Sequence, residues 1–322
     1  MFTLAEIDEA AALVYGHMPP TPQYAWPLLA RRFGCEVVVK HENHGPVGAF
    51  KLRGGLVYVE RLRRERPQVK GIVSATRGNH GQSLAFAGAA YGMPVAIVAP
   101  RGNSAEKNAA MRALGAELIE AGVDFDDAKD AAMRNAEERR NEFVPSFAPD
   151  LVRGVATYAL ELFRAHPDIR TLYAPIGLGS GICGSIAVRD ALGLETEIVG
   201  VVSERANAYR LSIEARRPVA TNSAATFADG VAVRVPDARA VEIIAKGAAR
   251  VVEVSEAGIA EAIRILHEDT HNMAEGAGAA ALAGLAADGR RGGRGKTAVI
   301  LSGGNIDRAL AAHILAGGTP GA

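Results

Sequence analysis

This chain has only two cysteines and no excess of positive or negative charge. Cys35 and Cys183 are too few for a disulfide framework. The 36 Lys and Arg balance the 36 Asp and Glu, which argues against a nucleic-acid or acidic-surface partner. No apolar run approaches the ~18 residues of a membrane helix. The segment 1–16 is acidic and amphipathic, unlike a targeting peptide. We therefore expect a cytoplasmic protein that acts on a small molecule, without a membrane or nucleic acid.

Metal-binding and hydrolase motifs are absent as well. The eight histidines show no ligand spacing, and neither cysteine pairs with one. His267 and His271 stand four residues apart, but the residues between them do not reproduce the metalloprotease pattern. No Gly-x-Ser-x-Gly elbow occurs. The sequence thus predicts no metal site.

Glycine, in contrast, is abundant: the 36 glycines exceed the ~7% that is average, and many follow β-rich runs. Predicted strands alternate with predicted helices. The strands are expected at 35–40, 71–75, 94–100, 117–120, 171–175, 197–202, 251–254 and 297–302, and the helices include 79–91, 105–114, 125–141, 151–165, 179–192 and 256–270. This alternation predicts an α/β, doubly wound architecture with buried parallel sheets. The stretch 289–296, rich in Gly and Arg, is expected to be a surface loop.

Three polar segments directly follow predicted strands: 74–83, 177–181 and 302–305. In parallel α/β sheets, ligands bind outside the carboxyl ends of the strands, so these segments are expected to meet. The region 52–148 carries its own strands and helices and is predicted to be a smaller inserted domain. Residues 1–51 and 149–322 then form the large domain.

Lys51 lies in the sequence Gly-Ala-Phe-Lys-Leu-Arg-Gly-Gly, outside any solvated charge run. A lysine held among apolar residues can stay neutral and nucleophilic, or condense with an aldehyde. The alternative is an ordinary lysine at a helix start. The loop Gly177-Leu178-Gly179-Ser180-Gly181 brings backbone N–H groups to a helix N-terminus, which suits a phosphate. It could also be a tight turn without a ligand.

The polar segment after the second strand offers hydrogen bonds at a helix start. A guanidinium at that point pairs with a carboxylate or phosphate, or forms a structural ion pair. Ser302 ends the last predicted strand, where a hydroxyl can bond a ring nitrogen. Glu275 opens another predicted helix and lies near a cofactor, or simply complements that helix dipole.

Taken in order, these motifs resemble the fold-type II pyridoxal-phosphate (PLP) enzymes of the threonine/serine dehydratase and serine racemase family. The resemblance runs from Thr21-Pro22 through residues 40–43, 48–55, 79–83, 177–181, 228–233 and 275–278 to 302–307. It implies two open, twisted, mostly parallel α/β sheets with helices on both faces, PLP as cofactor, and a homodimer.

The resemblance also implies roles for single residues. Lys51 is similar to the Schiff-base lysine, Asn79 to the partner of the cofactor's phenolic oxygen, and Ser302 to the partner of the pyridine nitrogen. The loop 177–181 matches the phosphate loop. The other expected cofactor contacts are Phe50 and Glu275, and the expected substrate contacts are Ser74, Thr76, Arg77, Gly78 and His80.

Three departures from the family pattern narrow the function. Arg77 stands where serine racemase has a proton-transferring serine, which argues against racemisation as the main activity. Val202 and Ala208 stand at the positions assigned to metal-binding carboxylates, so no metal is expected. The chain stops soon after residue 307, so control by isoleucine through a regulatory domain is not expected.

The resemblance implies β-elimination from a 3-hydroxy amino acid, with L-threonine or L-serine as the default substrate. Arg77 keeps 3-hydroxyaspartate open, because a second carboxylate could pair with the guanidinium. A β-replacement synthase and an amino-acid racemase are the further enzyme alternatives. A PLP-binding module without turnover is the non-enzyme alternative, and shared architecture alone does not exclude it.

Overall fold

The computed structural model describes residues 1–289 and 295–321, and within these ranges the chain forms ten strands and thirteen α-helices. The strands are β1 (Gln23–Ala25), β2 (Val37–His41), β3 (Ile72–Ala75), β4 (Val95–Ala99), β5 (Glu117–Glu120), β6 (Glu142–Phe143), β7 (Thr171–Pro175), β8 (Glu197–Ser203), β9 (Arg250–Val254) and β10 (Thr297–Leu301). The helices are α1 (Leu4–Tyr15), α2 (Pro27–Phe33), α3 (Lys51–Glu65), α4 (Asn79–Tyr91), α5 (Ala105–Ala113), α6 (Phe125–Arg139), α7 (Pro149–Ala165), α8 (Ser180–Ala191), α9 (Ala208–Ala215), α10 (Ala238–Gly247), α11 (Glu256–Thr270), α12 (Gly276–Ala287) and α13 (Arg308–Leu315).

These elements build two separate sheets. The larger has six strands in the order β1-β2-β10-β7-β8-β9, in which only β1 runs antiparallel to its neighbour. The smaller has four parallel strands in the order β5-β4-β3-β6. The predicted α/β architecture with two mostly parallel sheets is therefore confirmed.

Helices cover both faces of each sheet because successive side chains of a strand point to opposite faces. In β10, Ala298 and Ile300 join a core with α7, α8 and α10, whereas Val299 and Leu301 join a second core with α11 and α12. The smaller sheet divides its side chains in the same way, between α3, α4 and α5 on one face and α6 on the other. Strands buried on both faces explain the continuous apolar runs in the sequence.

The predicted elements all form, with ends that shift by one or two residues. β1 and β6 were not predicted from the sequence, because each has at most three residues. Most of the predicted surface loop at 289–296 lies outside the described residues. Among those described, no helix is long and apolar enough to cross a membrane.

All four strands of the smaller sheet come from residues 72–143. On this ground we propose that 52–148 form a second domain inserted between 1–51 and 149–322. Native-state hydrogen exchange tests the division, since separate domains would open as separate cooperative units. Exchange of both sheets in a single unit would contradict it.

Four charged side chains are buried together at the start of α3. Arg53 donates to Glu42 at 2.7 and 3.0 Å and to Glu161 at 2.6 and 3.0 Å. Lys40 donates to Glu161 at 2.5 Å. All four side chains are at most 5% exposed. This buried quartet joins β2, α3 and α7, and Arg53 lies two residues from Lys51, so it fixes the turn that presents that lysine.

Candidate active site

A cavity of about 740 Å³ lies at the carboxyl ends of β3, β7 and β10. The segments that follow these strands line it, as do Phe50, Lys51 and Glu275 at the starts of two helices. From the three segments, the structure brings together 76–80, 177–181 and Ser302. Parallel strands end at one edge of a sheet, which is why segments far apart in sequence share this cavity.

Lys51 is the first residue of α3 and lines the cavity. Its Nζ lies 5.2 Å from the centroid of the Phe50 ring. Burial lowers the pKa of Lys51 to about 8, and the negative charge of Glu275 opposes that shift only in part. The Phe50 N–H donates to the Ser302 carbonyl oxygen at 3.1 Å, which ties the lysine turn to the end of β10. A substantial fraction of this amine is therefore neutral near physiological pH.

The glycine loop between β7 and α8 is shaped for close approach of a ligand to the backbone. Gly179 has φ +98°, and a Cβ there would meet the Cβ of Ala240 at 2.9 Å. Gly179 caps α8 without a side-chain hydrogen bond, so no capping side chain satisfies the N–H groups of the first turn, and this end of the helix lines the cavity. The Tyr209 hydroxyl donates to the Leu178 carbonyl oxygen at 2.8 Å and stabilises the loop in this conformation. The loop can hold an anionic group such as a phosphate.

The segment after β3 is divided between the cavity and the core. Thr76, Arg77, Gly78, Asn79 and His80 line the cavity. Ser74 is not among the lining residues, because it lies inside β3 and its hydroxyl donates to the Val144 carbonyl oxygen at 2.7 Å. The predicted substrate contact of Ser74 is therefore corrected: its side chain faces the core.

His80 follows Asn79 in the first turn of α4 and is almost fully buried. Burial first, and then the nearby Lys51, lower the pKa of His80 to about 3, so the ring is neutral. Its Nε2 is buried without a hydrogen-bond partner. A buried polar atom without a partner marks a place where a bound molecule can complete the hydrogen bonding.

The Asn79 side chain is held from both sides. Its Nδ2 donates to Glu275 Oε1 at 2.5 Å, and its Oδ1 accepts from Asn305 Nδ2 at 2.8 Å. Asn305 Nδ2 also donates to the Val47 carbonyl oxygen at 2.8 Å. These contacts fix the amide orientation and leave one N–H of Asn79 free for a ligand. Glu275 is thus linked directly to Asn79, and Asn305 was missed at the level of the sequence.

Ser302 follows β10 and is buried at the cavity wall. Its hydroxyl donates to the Ala277 carbonyl oxygen at 3.2 Å, a bond long enough to be exchanged for one with a ligand. Both the hydroxyl hydrogen and the oxygen lone pairs are thus available to a ring nitrogen.

Lys107 and Asp229 are two further charged residues that line this cavity. Asp229 lies in the motif 228–233 but had no role assigned to it, and no motif includes Lys107. Lys107 Nζ lies 3.5 Å from Asp229 Oδ2 and 3.7 Å from Glu275 Oε2. Arg77 lies 3.4 Å from Asp229 Oδ1 and is 44% exposed. Lys107 sits in a helix of mixed composition, where nothing in the local pattern distinguishes it from a surface lysine. In the part of the chain that the structure describes, no group of three His, Cys, Asp or Glu residues could hold a metal ion.

Comparisons with known proteins identify the family to which this chain belongs. A family model described as "Pyridoxal-phosphate dependent enzyme" matches residues 14–303. The chain is 34% identical to an L-threonine ammonia-lyase of Thermotoga maritima, over 95% of this chain and 76% of that one. It is 37% identical to an L-threonine ammonia-lyase of Geobacter sulfurreducens, over 86% and 69% respectively. The solved structure of the processed form of threonine deaminase isoform 2 from Solanum lycopersicum is 30% identical, with a TM-score of 0.89 over 98% of this chain and 95% of that one.

Proposed function

This chain belongs to the family of pyridoxal-phosphate dependent enzymes, and we propose that it is an ammonia-lyase that dehydrates L-threonine or L-serine to a 2-oxo acid and ammonia. The observation that carries the proposal is Lys51, a half-buried lysine with a pKa of about 8 at the wall of the same cavity as a glycine cradle. The L-threonine ammonia-lyases at 34% and 37% identity support the choice of reaction.

The residues present fit PLP. N–H groups of the loop 177–181 suit its phosphate. A Cβ at Gly177 would meet the Gly230 carbonyl oxygen at 2.3 Å, so the close packing of these two backbone segments requires glycine at this position. Lys51 would hold the aldehyde carbon, and the free N–H of Asn79 would reach the phenolic oxygen. Ser302 would face the ring nitrogen, and Phe50 would pack beside the lysine. When bound, the cofactor takes up the charge that develops at the substrate α-carbon.

The substrate would lie between Lys51 and the segment 76–80. Backbone N–H groups at the start of α4 and the Thr76 hydroxyl line the cavity and would bind its carboxylate. The neutral amine of Lys51 accepts the α-proton at Nζ, which its lowered pKa permits near neutral pH. A serine beside the ring nitrogen does not keep that nitrogen protonated as an aspartate would. This favours prompt loss of the β-hydroxyl, which leaves as water when the proton that Lys51 Nζ took from the α-carbon is passed to it. The released enamine then takes up water and gives the 2-oxo acid and ammonia.

The test is release of 2-oxo acid and ammonia from purified, PLP-loaded protein with L- and D-serine, L- and D-threonine, and the threo and erythro 3-hydroxyaspartates. We expect turnover of L-threonine or L-serine and none by Lys51→Ala, because Lys51 is the base proposed to accept the α-proton. Undiminished turnover by Lys51→Ala would refute the assignment. Turnover that requires an added nucleophile would indicate a β-replacement synthase instead.

A second substrate, 3-hydroxyaspartate, is favoured by one observation. Arg77 lines the cavity, and its contact with Asp229 at 3.4 Å is long and partly solvated, so a substrate carboxylate can compete for the guanidinium. If this is the substrate, Arg77→Ser will lower kcat/KM for 3-hydroxyaspartate more than tenfold and leave that for threonine nearly unchanged. Equal effects on both substrates would remove the support for this alternative.

We also propose that the protein is a homodimer and acts in the cytoplasm. The resemblance to the dehydratase family supports a homodimer, and two unpaired cysteines are consistent with the cytoplasm. Sedimentation of the purified PLP-loaded protein measures its mass in solution and so tests the homodimer. A monomer at micromolar concentration would contradict it.

A further inference from the structure

Lys107 reaches into the cavity from α5, on the smaller sheet, toward two carboxylates that belong to the larger part of the chain. Its side chain is only 11% exposed, and its stem packs at the backbone of Gly78, where a Cβ would meet its Cδ at 2.7 Å. Burial opposes the charge, but Glu275 and Asp229 outweigh this and hold the pKa of Lys107 above its usual value. Lys107 is therefore a cation at every physiological pH.

Glu275 is the residue on which this cation acts. Burial raises the pKa of Glu275, and the charge of Asp229 adds to that rise. Lys107 and the Asn79 amide oppose it. Lys51 also faces Glu275, but its pKa of about 8 leaves it only partly charged near neutral pH. Lys107 is then the remaining permanent cation beside this carboxyl group among the described residues.

The protonation state of Glu275 matters because of its 2.5 Å contact with Asn79 Nδ2. An ionised carboxylate only accepts hydrogen bonds, so it requires the N–H₂ group of Asn79 to face it. A protonated carboxyl group can donate, so protonation removes this constraint and leaves the amide held only by Asn305. We propose that Lys107 is a positioning residue: it holds Glu275 ionised, and the carboxylate in turn orients the Asn79 amide toward the phenolic oxygen of the cofactor.

This inference rests on the proposed PLP site, and cofactor binding to the apoenzyme tests it without any turnover. The dissociation constants of PLP and of an analogue without the 3-hydroxyl group are measured between pH 6 and pH 9. The proteins are wild type, Lys107→Met, Lys107→Arg and Glu275→Gln. Arg112→Met is the matched control, because Arg112 lies on the same helix but pairs with Glu120 at the surface.

We expect Lys107→Met to bind PLP about tenfold more weakly than wild type at pH 6–7, the loss of one hydrogen bond to a charged group. The ratio to wild type will fall toward one as the pH rises, because Glu275 then ionises without help. The pH above which PLP binds at full affinity will be higher for Lys107→Met than for wild type, because the variant lacks the cation that lowers the pKa of Glu275. Lys107→Arg will restore binding, Arg112→Met will match wild type, and the analogue will bind all variants alike.

Two outcomes would overturn the inference: a loss of PLP affinity that does not vary with pH, or an equal loss for the analogue. Either would mean that Lys107 only supports the structure. If Lys107→Met does not fold, Glu275→Gln carries the test, with a loss expected for PLP and none for the analogue. Failure of wild type to bind PLP at all would instead refute the proposed function.

Discussion

The buried quartet of Lys40, Glu42, Arg53 and Glu161 gives a direct prediction for stability. Glu161→Gln keeps the shape of the side chain but removes one negative charge that accepts from Arg53 at 2.6 Å and from Lys40 at 2.5 Å. The wild-type quartet is neutral, with two cations and two anions, all at most 5% exposed. The variant leaves a net positive charge in the core next to the turn that carries Lys51.

The size of the effect follows from this burial. Removal of one partner from a buried ion pair costs ~3–5 kcal/mol, because the remaining charge has lost its compensation. A typical folded protein has a free energy of unfolding of ~5–15 kcal/mol, so the variant is expected to lose a large part of its stability. An exposed pair contributes far less, so Glu65→Gln, which breaks the surface pair with Arg61, should leave the free energy of unfolding nearly unchanged.

Urea unfolding of the apoprotein at pH 7.5 measures both costs. A double variant, Lys40→Met with Glu161→Gln, serves as the matched control, because it restores neutrality with one cation and one anion. We expect it to regain at least about 1 kcal/mol over Glu161→Gln alone, as coupled neighbours in one network do. A loss below about 1 kcal/mol for Glu161→Gln, or no recovery in the double variant, would refute the reasoning.

The same variant has a defined pH dependence. Burial by itself raises the pKa of Glu161, but Arg53 and Lys40 outweigh it, so the pKa in the folded protein lies below the usual value. Such a carboxylate contributes stability above its unfolded pKa of about 4.3 and loses it as the pH falls through its folded pKa. The stability difference between wild type and Glu161→Gln should therefore be constant near neutrality and shrink below about pH 4.

Two further predictions concern the cavity. Gly179→Ala is expected to weaken PLP binding at least about tenfold, because φ is +98° and the new Cβ would meet Ala240. Gly193→Ala is the control and should leave binding unchanged, since Gly193 has φ +64° but open space around it. Equal PLP dissociation constants for the two variants would contradict the role of the loop. In the apoenzyme, the reaction of Lys51 with an amine-directed reagent is expected to have its pH midpoint near 8, because burial lowers the pKa of this lysine. Peptide mass spectrometry measures the extent of the reaction at each pH. A midpoint near the ~10.4 of a free lysine would contradict the effect of burial.

Much of the site could be predicted from the sequence because its chemistry sits in short segments that follow strands. Lys51, Asn79, Ser302 and the glycine loop all line one cavity, as expected of residues beyond the carboxyl ends of parallel strands. Ser74 was placed wrongly, because the sequence does not show whether the last residues of a strand face the core or the cavity. In the structure its hydroxyl is bonded within the smaller sheet.

The sequence by itself determined the alternation of strands and helices, the order of the motifs and, through them, the family. These features depend on local spacing, since side-chain periodicity and turn chemistry are properties of a few consecutive residues. Only the tertiary structure decided which charges meet: Asn79 and Glu275 are 196 residues apart, and Lys107 and Asp229 are 122 apart. Such contacts arise when two sheets close on a shared cavity, and no local pattern in a single sequence specifies their geometry.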